Sequence, residues 1–130
     1  MKKLCALVVL ALILPVSALA AKEVVYVFNW SEYIDPAVLK LFEKETGIRV
    51  KYSTFDSNEA MFAKIRLVKK AGYDVAFPST YFVERMRRLN MLIPLDKSKL
   101  PNLKNINPDL LDKPYDPGNT YSVPYLWGSS

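Results

Sequence analysis

A chain of 130 residues, 51% hydrophobic and 24% charged, has the length and composition of one ordinary globular domain with its own core. A single cysteine and no histidine remove the commonest metal ligands and the commonest general base, so any chemistry would rest on carboxylates, lysines or hydroxyls. The formal charge of +5 is a mild excess and does not ask for a nucleic-acid partner.

The chain opens on Lys2 and Lys3, runs through an uncharged apolar stretch from Leu4 to Val16, and reaches Ala18-Leu19-Ala20. A basic start, an apolar run and small residues at a cleavage position are the three parts of a secretory signal. As a membrane span the run is shorter than the ~20 residues a bilayer needs, and Pro15 interrupts it. Residues 1–20 therefore read as a signal peptide cleaved after Ala20, with residues 21–130 as the exported part and no membrane span left after cleavage. Loss of Lys2 and Lys3 takes the charge from +5 to +3. Cys5 stands too early in the run to be a lipid attachment point. It leaves with the signal, and with it go any disulfide, thiolate nucleophile or cysteine-bound metal.

Glu23 to Asn29 is rich in β-branched and aromatic residues and predicts a buried strand. After the polar loop Asn29 to Ile34, Asp35-Pro36 starts a helix that Gly47 ends, with Val38, Leu41, Phe42 and Glu45 on one face. Ile48 to Ser53 alternates apolar with basic residues and predicts a second strand. Asp56 and Glu59, at capping-box spacing, open a second helix with Met61, Ile65 and Val68 on one side and Gly72 as its stop. Tyr73 to Phe77 is a third strand, Pro78-Ser79-Thr80-Tyr81 a turn, and a short helix follows with Val83, Met86 and Leu89 inward. Five prolines then punctuate a weakly periodic segment of short turns. Tyr121 to Trp127 predicts a further strand, which Pro124 confines to an edge or a bulge.

Alternating strands and helices imply an α/β fold, a mostly parallel sheet flanked by helices with right-handed crossovers. If the second and third strands flank the first, the chain reverses direction at the first strand, and open α/β sheets bind ligands at such a point, outside the carboxyl ends of the strands. Two loops leave those ends. They carry Trp30, Ser31, Glu32 and Tyr33, and Ser79 and Tyr81. Aromatic faces attract cations and a carboxylate pairs with ammonium, but aromatics with hydroxyls also suit sugars. Trp30 and Tyr33 read equally well as packing under their loop, with Glu32 solvated. The basic groups Lys64, Arg66, Lys69 and Lys70, and Arg85, Arg87 and Arg88, read as solvated helix faces. Asp109, Asp112 and Asp116 lack the Gly and Glu of a calcium loop. There is no glycine-rich phosphate loop and no nucleophile elbow.

The run from Tyr26 to Ile34, Glu43-Lys44-Glu45-Thr46-Gly47-Ile48, Tyr73-Asp74-Val75 with Pro78-Ser79-Thr80-Tyr81, and the stretch from Tyr121 to Gly128 resemble, in order, the periplasmic spermidine/putrescine-binding proteins of bacterial polyamine ABC importers. The resemblance covers essentially the whole exported segment. It implies a two-lobe, type II-like periplasmic binding fold that closes on its ligand, with no catalysis, no cofactor and no metal. It further implies a polyamine ligand, held by Trp30, Ser31, Glu32, Tyr33, Ser79 and Tyr81, and membrane permease subunits as partners of the full-length protein. Ser31 stands where relatives often have threonine, and the hydroxyl is kept.

Such proteins are about three times longer, so residues 21–130 are expected to be an N-terminal lobe segment whose second lobe is missing. The expectation is a periplasmic polyamine-binding fragment that binds weakly alone. A binder of another small solute such as a sugar, an amino acid or iron, or a small secreted enzyme or adhesion domain, are the alternatives.

Overall fold

The computed structural model describes residues 23–68 and 72–128. The expected signal peptide, its cleavage position after Ala20, and Lys69 and Lys70 lie outside the described residues.

Strand β1 (Val24–Trp30) pairs in parallel with β2 (Arg49–Phe55) over its whole length, from Val24 opposite Arg49 to Trp30 opposite Phe55. On its other side β1 pairs in parallel with the short β3 (Val75–Ala76), so the sheet order is β2-β1-β3. The reversal expected at the first strand is there. Only two residues of the third strand are ladder-paired, but its flanks hold β1 as well. Asp74 donates its N–H to the Tyr26 carbonyl at 2.9 Å and accepts from Tyr26 N at 2.8 Å on its carboxylate, and Phe77 N donates to Phe28 O at 3.1 Å.

Helix α1 (Pro36–Thr46) has the expected ends. Asp35 accepts from Ala37 N at 2.8 Å, Pro36 is the first helical residue, and Gly47 takes φ 74° with its N–H on Glu43 O. Its packing differs from expectation. Val38, Leu41 and Phe42 stay largely exposed, no residue of α1 is buried, and Leu39 and Glu43 are the residues that turn inward. Glu43 accepts from Val50 N at 2.6 Å, so a carboxylate from α1 occupies an outward N–H of the edge strand β2.

Helix α2 (Asn58–Val68) carries the chain from β2 across β1 toward β3, and α3 (Thr80–Arg88) follows β3. The two crossovers run in opposite directions, and right-handed crossovers then put α1 and α2 on opposite faces of the sheet. The core lies on the α2–α3 side: Phe28 and Phe55 from the strands, Met61 and Phe62 from α2, Phe82 and Met86 from α3. Phe28 stacks on Tyr73 with ring centroids 4.2 Å apart and meets Phe55 edge-on at 4.9 Å. Phe62 meets Phe82 edge-on, and the Arg85 guanidinium covers the Phe62 ring at 4.4 Å.

Three expectations are corrected here. The α2 cap is Ser57, whose hydroxyl accepts from Ala60 N at 3.1 Å; Asp56 is engaged elsewhere, and Glu59 falls one position short of a capping-box partner for Ser57. Leu89 is 53% exposed, since it lies past the last turn of α3. Tyr121 to Trp127 is not a strand: Pro124 removes a donor and no strand among the described residues pairs with it.

The proline-rich segment forms short 3₁₀ turns at Lys97–Lys99, Pro101–Asn105, Pro108–Leu110 and Pro117–Asn119, as its composition suggests. The fully buried Asp116 organises its end. Its carboxylate accepts from the backbone N–H groups of Thr120, Tyr121 and Ser122 and from the Ser122 hydroxyl, at 2.7–3.3 Å. Leu95 N on Thr120 O at 2.7 Å, and Arg87 Nε on Tyr115 O at 3.1 Å, fasten the segment to the rest.

Candidate ligand-binding site

The loops leaving β1 and β3 lie at the carboxyl edge of the sheet, on either side of the point where the chain reverses. Trp30 closes β1. Its indole N–H donates to Phe77 O at 2.9 Å, and its ring lies against Phe55 at 4.6 Å and Tyr33 at 6.1 Å. Trp30 is therefore a packing residue that ties β1 to the exit of β3, and its half-buried ring also lines a broad, open groove. Just before it, Asn29 is fully buried. Its Oδ1 accepts from Trp30 N at 2.8 Å, while its Nδ2 has no hydrogen-bond partner in the structure described.

Ser31 is exposed, and its hydroxyl donates to Asp56 Oδ1 at 2.8 Å. Glu32 takes φ 59°, the left-handed region that a Cβ disfavours, and its exposed side chain stands at the groove. Tyr33 is half exposed beside Trp30, and its carbonyl accepts from the Tyr125 hydroxyl.

The expected turn at Pro78 to Tyr81 is the beginning of α3. Ser79 occupies the cap position in extended conformation, but its side chain does not cap the helix. Asn58, the first residue of α2, holds it at two points: Ser79 N donates to Asn58 Oδ1 at 3.0 Å, and Asn58 Nδ2 donates to Ser79 Oγ at 2.8 Å. Tyr81 is 67% exposed on the first turn of α3, edge-on to Phe82.

Of the six expected residues, Trp30, Glu32, Tyr33 and Ser79 share the wall of one groove, and Ser31 and Tyr81 do not line it. Asp56 and Asn58 escaped the sequence reading, because a polar residue before a helix reads first as a cap. The available signal was that three polar residues, Asp56, Ser57 and Asn58, stand in a row where one suffices. Among the described residues no group of three or more Asp, Glu, His or Cys is arranged to hold a metal. The wall instead offers the aromatic rings of Trp30 and Tyr33 and the Glu32 carboxylate, which suit an organic cation. On β2, burial pushes the Tyr52 hydroxyl above its ordinary pKa; the neighbouring Asn29 side chain pulls the other way without closing a hydrogen bond, and Tyr125 adds to the rise.

The family model that matches the chain, over residues 1–112, is described as hypothetical lipoprotein (MG045 family). Over 122 residues the chain is 50% identical to the spermidine/putrescine-binding periplasmic protein of Escherichia coli, covering 92% of this chain and 35% of that one. It is 45% identical to the putrescine-binding periplasmic protein SpuD of Pseudomonas aeruginosa, covering 98% and 35%. Among solved structures, the spermidine/putrescine ABC transporter substrate-binding protein PotD from Streptococcus pneumoniae superposes with a TM-score of 0.79 at 47% identity, over 82% of this chain and 33% of that one. The resemblance read from the motifs, with the lobe it implies, and the α/β fold expected from the element order all stand. The chain spans about a third of the length of the curated relatives it matches.

Proposed function

The chain belongs to the hypothetical lipoprotein (MG045) family, and we propose that it is polyamine-recognising sequence from a periplasmic solute-binding component of an ABC importer. The observation that carries the reading is the shared groove wall of Trp30, Glu32, Tyr33 and Ser79 at the reversal point of the sheet. A polyamine offers ammonium groups that only donate hydrogen bonds, spaced by methylenes. A carboxylate neutralises such a group, and the faces of Trp30 and Tyr33 receive both the charge and the methylenes. The names of the relatives, as spermidine/putrescine and putrescine binders, support the same chemistry. In this reading Trp30, Glu32, Tyr33 and Ser79 contact the ligand in the groove and the exposed Ser31 and Tyr81 reach it from the same two loops; the role is transport without catalysis, and permease subunits are the partners of the full-length protein. No described helix is long and apolar enough to cross a membrane.

Titration of the exported chain with spermidine and putrescine, followed by the Trp30 indole N–H resonance, tests the proposal. A saturable shift with the amines and none with an uncharged diol of equal length is expected. Equal responses to amine and diol, or none to either, would overturn it. Export itself is expected through cleavage after Ala20. The family is described as lipoproteins, but Cys5 stands too early in the apolar run to carry a lipid in this scheme. N-terminal sequencing of the exported product should begin at Ala21, and a product that keeps Met1 contradicts it.

A further inference from the structure

We propose that the segment joining β2 to α2, from Asp56 to the first helical residue Asn58, is the positioning element of the site. It fixes both ligand-facing loops and sets the hydrogen-bonding polarity of one of them. Asp56 and Asn58 are one residue apart from each other across Ser57, yet they reach different loops. Asp56 holds Ser31 after β1, and Asn58 holds Ser79 after β3. One short turn thus spans the reversal point of the sheet and couples its two sides.

The polarity follows from donor counting. A carboxylate only accepts, so the single hydroxyl proton of Ser31 goes to Asp56 Oδ1 and the exposed Ser31 oxygen has only lone pairs to offer. An ammonium group, which only donates, suits such an oxygen. An anion or a carbonyl does not. For Asn58, the backbone N–H of Ser79 can only donate, which fixes Oδ1 as its acceptor and leaves Nδ2 facing Ser79 Oγ. That two-point grip explains why Ser79 stands at the head of α3 without capping it. It holds the hydroxyl at the groove instead.

The inference rests on the polyamine reading for its ligand, but not for its geometry, and two readouts keep them apart. The exported chain is prepared as wild type and as D56A, D56N, N58A, S31A and S31A/D56A. Each is titrated with butane-1,4-diamine and butane-1,4-diol, and amide hydrogen exchange of Ser31 and Ser79 is followed without ligand. D56A and N58A should each bind the diamine about three- to tenfold more weakly, the span of one hydrogen bond. D56N keeps an acceptor oxygen but adds N–H donors, so it should restore slow exchange at Ser31 and only part of the diamine affinity. S31A/D56A should bind no more weakly than S31A, and D56A should narrow the preference for diamine over diol, which a general loss of stability would not do. Exchange should quicken at Ser31 in D56A and at Ser79 in N58A. Variants that bind like wild type, a D56A loss that adds in full to S31A, or unchanged exchange overturns the proposal. If the wild type ignores the diamine, the polyamine reading falls. The exchange of D56A, D56N and N58A then decides the positioning claim alone.

Discussion

At the residue scale, Glu32 bears two opposed demands. Its φ of 59° costs a non-glycine residue about 1–2 kcal/mol, and its carboxylate is the one negative group among the six expected contacts. Two substitutions separate these demands. Glu32→Gln keeps the backbone cost and removes the charge. A hydrogen bond to a desolvated charged group contributes about 1.5–3 kcal/mol, so in a full-length version, where the ammonium is enclosed, polyamine affinity should fall roughly tenfold or more while the melting temperature stays put. Glu32→Gly removes the charge too, but relieves the backbone, so its melting temperature should hold or rise despite the same loss of binding. Calorimetry on both variants checks the pair, and a Glu32→Gly that melts well below wild type refutes the backbone half. Tyr52 gives a prediction in pH. Its hydroxyl is held above the ordinary value chiefly by burial, so the folded chain keeps that proton better than the unfolded one. The associated stability is whole below about pH 10 and is lost as pH rises through the folded value. Tyr52→Phe should flatten that alkaline decline in urea melts at pH 8 and pH 10.5. An unchanged slope would show that Tyr52 does not cause it.

At the scale of elements, the signals legible in the sequence were those a few residues can settle among themselves. Asp35-Pro36 and Gly47 fix both ends of α1 because capping needs only adjacent backbone. Asp35→Ala should therefore cost about 0.5–2 kcal/mol in urea melts, with loss of helical signal. The core was legible too where it depends on one helix face. Met61 is fully buried among Phe28, Phe55 and Phe62, and Met61→Ala should cost about 2–5 kcal/mol. What was not legible depends on partners distant in the chain. Val38, Leu41 and Phe42 form an apolar stripe that nothing described covers, while Leu39 and Glu43 turn to the sheet because Glu43 finds the free N–H of Val50. Periodicity reports that a stripe exists, not what lies opposite it. Tyr121 to Trp127 has strand-forming residues but no described strand to pair with. In the candidate site, Trp30, Glu32, Tyr33 and Ser79, singled out by the rule that ligands bind where the sheet order reverses, line one groove. Asp56 and Asn58 were missed because their partners lie 25 and 21 residues away.

At the scale of the whole molecule, the uncovered apolar surface and the open groove bear on the same quantity, the affinity of this chain alone. Ile93 is 85% exposed, Trp127 78% and Leu67 77%, and the groove is broadly open to solvent. A polyamine in water is well solvated, and several partners must jointly offset the loss of that water. Contacts that stay open to solvent act at high dielectric, where an ion pair contributes about 0–1 kcal/mol. A few of them leave the affinity at roughly millimolar or weaker. The formal charge of +5 adds no long-range attraction for a cation. The same exposed residues should drive self-association, since large apolar side chains left in water seek cover. Sedimentation across a concentration series should show association, with binding of a hydrophobic dye, and titration of the dilute monomer with spermidine should saturate only near millimolar ligand. Micromolar, saturable binding by a stable monomer would mean that this wall desolvates the ammonium groups by itself, and that the open-groove estimate has the wrong dielectric.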